Sequence, residues 1–222
     1  MKFHSIFTLA IAALLLNTLF VSEAFGCACC AERGDYIEST SPFDSFIRDE
    51  LSYLRTETAD LFSDAGYPDN IIGISPVDDK YSINAFLQGG NWNFTVKDGS
   101  ARTGTLRLTS PKKYVSFMVD QNPASEAIEP TLYKELRIEG SVLSSNGVFS
   151  TVGKKGVKYK LVLQGKGNRC LSANDFKTYI FRVSGSKADF TYFGKLGMKD
   201  AEAMQQPIDS AGTGIVSRPP AT

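Results

Sequence analysis

The stretch Trp92-Asn93-Phe94-Thr95-Val96-Lys97-Asp98-Gly99-Ser100-Ala101-Arg102-Thr103-Gly104-Thr105-Leu106-Arg107-Leu108-Thr109 decides the fold. Trp92, Phe94 and Val96 alternate with Asn93, Thr95 and Lys97; Asp98-Gly99 opens a turn; Gly104, Leu106 and Leu108 then alternate with Thr105, Arg107 and Thr109. Residues two apart on a strand share a face, so this period predicts a hairpin with one dry and one wet side.

The texture continues downstream. Ser110-Pro111-Lys112 turns the chain into 114–119, and Leu132, Leu136 and Ile138 alternate with Tyr133, Glu135, Arg137 and Glu139. Asn146-Gly147 signals a hairpin that leads through 148–152 to 157–163, and two more strands follow at 178–183 and 188–193. These are eight short strands in an antiparallel up-and-down order, the number that closes a small barrel around side chains or one small ligand. The run of short hairpins favours the barrel over a two-sheet sandwich, which the same strands also permit. In such a barrel every second connection shares an end, so the loop 165–176 lies where the Trp92 strand begins.

Upstream, Ser41-Pro42-Phe43-Asp44 reads as a helix start, and Phe43, Phe46, Ile47, Leu51 and Leu54 recur at helical spacing. This predicts one amphipathic helix over 42–57, followed by an irregular stretch from 61 to 75. Residues 199–222 have no apolar period and read as a disordered tail. A basic start, an apolar run from Ile6 to Val21 and small residues before Phe25 form the three-part pattern of a secretory signal. The expected organisation is a signal peptide at 1–24, a lead-in carrying cysteines and helix at 25–80, an antiparallel β-barrel domain at 81–198 and the tail. Export implies a periplasmic or secreted protein.

Four cysteines follow the signal: Cys27, Cys29, Cys30 and Cys170. An even count in an exported chain favours disulfides, and four cysteines allow three pairings. Neighbouring Cys29 and Cys30 are poorly placed to bond to each other, so one of the cluster is expected to pair with Cys170. The other reading is chemical. Thiolates at Cys27, Cys29 and Cys30 select soft metals such as Cu(I), or exchange disulfides. Lipidation at Cys27 is a third reading, and the only one that attaches the chain to a membrane.

His4 is the only histidine and leaves with the signal. A mature chain without histidine excludes Ser-His and Cys-His nucleophile pairs and His-based metal sites. Lys plus Arg and Asp plus Glu both number 24, with no basic stripe, so nucleic acid is not an expected partner. Asp35, Glu38, Glu135 and Glu139 are the carboxylates worth testing as a pair; a wet outer face with cross-strand ion pairs accounts for them without catalysis.

Gly90-Asn91-Trp92 resembles the Gly-x-Trp signature of lipocalins, in which the Trp closes one barrel end under a late-strand Arg. That resemblance implies a lipocalin-like barrel with Trp92 and Arg182 packed together. Cys27-Ala28-Cys29-Cys30-Ala31-Glu32, Leu132-Tyr133-Lys134-Glu135 and Lys160-Leu161-Val162-Leu163-Gln164-Gly165-Lys166-Gly167-Asn168 are similar to an uncharacterised group of bacterial exported proteins. The expected function is non-enzymatic: a small barrel holding an apolar or amphipathic ligand, with a thiolate metal or redox protein and an envelope structural domain as alternatives.

Overall fold

The structure, a computed structural model, describes residues 28–62, 71–78, 81–84, 87–88, 91–125, 129–153 and 156–199. The readings of the signal peptide at 1–24, of Cys27 and Gly90, and of the tail beyond Lys199 lie outside the described residues.

One helix, α1 (Ser45–Ser52), accompanies twelve strands among the described residues. The strands are β1 (Tyr36–Pro42), β2 (Leu54–Thr56), β3 (Asp60–Phe62), β4 (Tyr81–Asn84), β5 (Leu87–Gln88) and β6 (Asn91–Asp98). They continue with β7 (Thr103–Leu108), β8 (Lys113–Val119), β9 (Leu132–Gly147), β10 (Lys158–Gly167), β11 (Phe176–Gly185) and β12 (Ala188–Met198). The main path runs β2-β12-β11-β10-β9-β7-β6-β4; β3 adds to β12, β5 to β6, β8 to β9, and β1 to β8. The result is an antiparallel sheet curled into a half-barrel. A single bridge between Ala59 and Tyr81 joins the β3 side to β4.

The departure from a simple meander lies in β9. This strand is 16 residues long and pairs with β10 along one edge. Its other edge is divided: residues 133–138 pair with β8 and residues 142–147 with β7. Each edge offers one row of N–H and C=O groups, so two neighbours must take it end to end. The sheet forks there. Thr109 stitches the fork: its N–H donates to the Ser141 carbonyl at 2.9 Å, and its Oγ1 accepts from Ser141 N–H at 2.9 Å. Tyr159 reaches it from β10, its hydroxyl donating to the Thr109 carbonyl at 2.8 Å. The tyrosine ring passes under Gly140, where an added Cβ would lie 2.5 Å from the ring and 2.6 Å from Thr109 Oγ1.

The concave side is filled by aromatic rings. Phe94 stacks on Phe181 with centroids 4.1 Å apart, and Phe149 stacks on Phe190 at 5.5 Å. Tyr81, Tyr159, Tyr179 and Tyr192 are also buried. Among the described residues, the Tyr192 hydroxyl is the buried side-chain polar atom left without a hydrogen-bond partner.

Three expectations need correction. The helix is shorter than 42–57. Ser41 and Pro42 end β1, paired with Tyr114 and Lys113, so neither starts the helix. Asp44 caps it instead, accepting from Ile47 N–H at 3.1 Å. Leu54–Thr56, expected as its last turn, pairs with β12. An eight-residue helix is marginal alone. Burial of Ile47 and Leu51 holds it, at about 1.5–3 kcal/mol each.

The second correction concerns 148–152, which is no strand. Gly147, at φ +59°, ends β9. Phe149, Ser150 and Val152 then donate to carbonyls three residues back. Val148, Phe149 and Val152 are buried, a spacing without a period of two, and they plug the core as a turn. The third concerns the sheet: in place of eight strands in a closed up-and-down barrel, twelve described strands curl into a half-barrel, and residues 36–62 of the lead-in supply β1, β2 and β3 to it.

Gly140→Ala is expected to destabilise the protein by about 1–3 kcal/mol, the cost of overpacking, read as a lower urea midpoint. Tyr159→Phe, which keeps the ring and loses one hydrogen bond, costs about 1 kcal/mol. An unchanged midpoint in Gly140→Ala would show that the fork does not depend on this passage.

Candidate functional site

The cysteine cluster belongs to a clasp that ties residues 29–35 to the connection between β10 and β11. Cys29 and Cys170 form a disulfide, with Cα atoms 4.7 Å apart and a separation of 141 positions in sequence. Next to it, Arg169 N–H donates to the Cys29 carbonyl at 3.0 Å. The Arg169 guanidinium forks onto Asp35, Nε to Oδ2 at 2.7 Å and Nη2 to Oδ1 at 2.6 Å. Asp35 Oδ2 also accepts from Glu32 N–H at 2.8 Å. Arg169, first by its hydrogen bonds, holds the Asp35 carboxyl below the ordinary carboxylate range against a smaller opposing effect of burial.

A second ion pair lies behind the disulfide. Lys134 is 1% exposed and points to the inner side of β9. Its Nζ donates to Asp175 Oδ2 at 2.6 Å and to the Cys170 backbone carbonyl. A buried ammonium without a partner is costly, so Asp175 and the Cys170 carbonyl are conditions for Lys134 to stand there. The same connection reaches α1, where the Glu50 carboxylate accepts from Ala173 N–H at 2.6 Å.

These contacts place the predicted cysteines. Cys29 is bonded to Cys170, and Cys30 lies half-buried beside it. A metal site at Cys27, Cys29 and Cys30, Cu(I) included, requires the Cys29–Cys170 bond to be reduced first. Among the described residues no group of three His, Cys, Asp or Glu is arranged to hold a metal ion. Trp92 and Arg182 are not brought together. Trp92 is buried, packed edge-on against Phe43 of the segment before α1 at 5.4 Å. Arg182 lies on the opposite, solvent-exposed side of the sheet, 3.4 Å from Asp189.

The carboxylates each meet a cation. Glu135 accepts from Tyr133 hydroxyl at 2.6 Å, Gln164 Nε2 at 3.1 Å and Arg137 Nε at 2.7 Å. Burial works to raise its pKa, but these donors outweigh it and keep the group ionised below the usual range. Burial and the neighbouring Glu135 push Tyr133 up to about 12. Arg137 also lies over the Phe117 ring, 5.1 Å from its centroid, and 3.9 Å from Glu38. Glu139 pairs with Lys160 at 3.3 Å.

The outer face holds a feature the sequence did not suggest. Where the sheet forks, the segment 109–113 rises beside β8 and β9 and leaves an open groove of about 600 Å³. Lys112, Lys113, Arg137 and Lys160 line it with Glu38 and Glu139, and Pro111 and Val115 supply apolar surface. A second groove of about 490 Å³ lies across the Glu139–Lys160 ridge, lined by Lys158 and Arg182 among others. In the sequence Ser110-Pro111-Lys112 read as a turn only; its role follows from the division of the β9 edge, a property of register.

Cys170→Ser is expected to lower stability by about 2–5 kcal/mol, because the bond closes a long loop. A denaturant series under oxidising and reducing conditions checks this, and equal midpoints in both would remove the disulfide from the clasp. Asp35 predicts a pH effect. Its folded pKa is depressed, so its stabilisation is present above the unfolded value and is lost as pH falls below about 4. Asp35→Asn should flatten that part of the acid-unfolding curve.

No protein-family model, curated protein or solved structure matches the chain.

Proposed function

We propose that this chain is an exported, non-enzymatic binding module that holds a small amphipathic anion in the groove at the fork of the sheet. The observation that carries the reading is the groove itself. Its volume of about 600 Å³ falls within the range of ligand sites. It sets four cationic side chains beside apolar surface from Pro111 and Val115, against two carboxylates. The half-barrel then acts as a lipocalin-like scaffold whose ligand lies on the outside. Stacked aromatic rings occupy the described concave side, which favours the outer site over an inner one.

The clasp supports the rest of the reading. A disulfide between Cys29 and Cys170 fits an oxidising compartment, and none of the described helices is long and apolar enough to cross a membrane. The disulfide favours a structural use of the cysteine cluster over metal binding or redox chemistry. The four candidate carboxylates sit in ion pairs, which favours binding over acid–base catalysis.

Anilinonaphthalene sulfonate, an amphipathic anion, is the probe. The native protein is expected to bind it saturably with enhanced fluorescence. The double variant Lys112→Glu, Lys113→Glu should weaken binding by at least about tenfold, equivalent to 1.4 kcal/mol, with an unchanged thermal midpoint. Equal affinity in native protein and variant would falsify the reading.

A further inference from the structure

The strand registers align one row of outward residues across five strands. Val115 on β8 is paired with Arg137 on β9, Arg137 with Val162 on β10, Val162 with Ile180 on β11, and Ile180 with Phe193 on β12. Paired residues share a face, so these side chains stand side by side on the outer surface. Four of the five are apolar. The exception, Arg137, is drawn aside: its guanidinium forks onto Glu135 at 2.6 and 2.7 Å and lies over Phe117. Beyond Phe193, which is 41% exposed, the apolar surface continues to Phe62 and Ile72, 59% and 49% exposed. Both lie at the β12 edge, Phe62 opposite Thr191 and Ile72 opposite Asp189.

The row begins inside the groove, because Val115 and Arg137 line both. Cations follow it along one side. Lys160 and Arg182, paired with each other in register, stand two residues from Val162 and Ile180 along their strands. Each also meets a carboxylate, Glu139 at 3.3 Å and Asp189 at 3.4 Å. Lys112 and Lys113 line the groove as well.

We infer that the ligand is a single-chain anionic amphiphile, its head group among Lys112, Lys113 and Lys160 and its acyl chain laid across the strands over Val115, Val162, Ile180 and Phe193. The inference rests on the groove reading above and names the chemistry of its ligand. Length supports it. Four strand intervals span roughly 19 Å at the usual spacing. One leaflet of a bilayer core, about 15 Å, is the depth of one acyl chain. Charge supports it as well: Lys112, Lys113 and Lys160 line the groove, whereas toward the β12 end Arg182 is paired with Asp189 and Lys195 stands apart on the other flank, so the cations concentrate where the head group lies.

The experiment is competition against anilinonaphthalene sulfonate on the full mature chain by octanoate, dodecanoate and hexadecanoate, below their aggregation limits. Affinity is expected to rise by roughly twofold per methylene, as for a chain half covered by protein. Ile180→Glu and Phe193→Glu, both on the outer face, should abolish the dependence on chain length and leave binding of the probe unchanged. Circular dichroism verifies their fold. A flat dependence on length, or track variants that behave like the native protein, overturns the inference; if Lys112→Glu, Lys113→Glu still weakens the probe, the groove reading survives that failure. Sedimentation with phosphatidylglycerol vesicles tests a bilayer source. Vesicle binding without competition by monomeric fatty acid also overturns the inference.

Discussion

A backbone edge can be paired only once, and β9 has two neighbours for one edge. The rest of the architecture follows from how the strand divides that edge. Because β8 takes the first half and β7 the second, the 109–113 segment passes between them. Neither ladder continues over residues 139–141, and there Thr109 alone bonds to β9, at Ser141. Gly140 lets the Tyr159 ring pass beneath, so the hydroxyl can reach the Thr109 carbonyl. The groove, its lysines and the flap formed by β1 and β8 all hang on this division.

Much of the sheet was legible in the sequence because alternation is a local property. The strands that hold Trp92–Val96, Gly104–Leu108 and Leu132–Glu139 stand where the period of two put them. The stretch 148–152 did not, because Phe149 falls on the wrong parity and no strand face can bury Val148, Phe149 and Val152 together. Two- and three-residue strands such as β2, β3 and β5 are too short to show a period. Tyr36–Pro42 carries a polar, exposed pattern, so its strand character depends on β8, far away in sequence.

The candidate site was less legible, for a physical reason. A bond from the N-terminal cysteines to Cys170 could be argued from geometry and redox compartment, but not which cysteine makes it. Lys134 gave a local signal, a charge on the inward parity between Leu132 and Leu136, yet its partner Asp175 lies 41 residues away. Arg169 gave none. The outer groove and the apolar row exist only as cross-strand register, and Val115, Val162, Ile180 and Phe193 have nothing in common along the chain. Trp92 and Arg182 show the opposite failure: a short motif suggested a contact, and the two side chains stand on opposite faces.

The clasp also sets an order in time. Ribosomes deliver the N-terminus first, so Cys170 is made 141 positions after Cys29. Along the chain, the cysteines next to Cys29 are Cys27 and Cys30. Any bond they form with it must be exchanged before the arginine–aspartate fork and the buried lysine can lock the segment in place. The clasp therefore cannot close until β9 and β10 have been made.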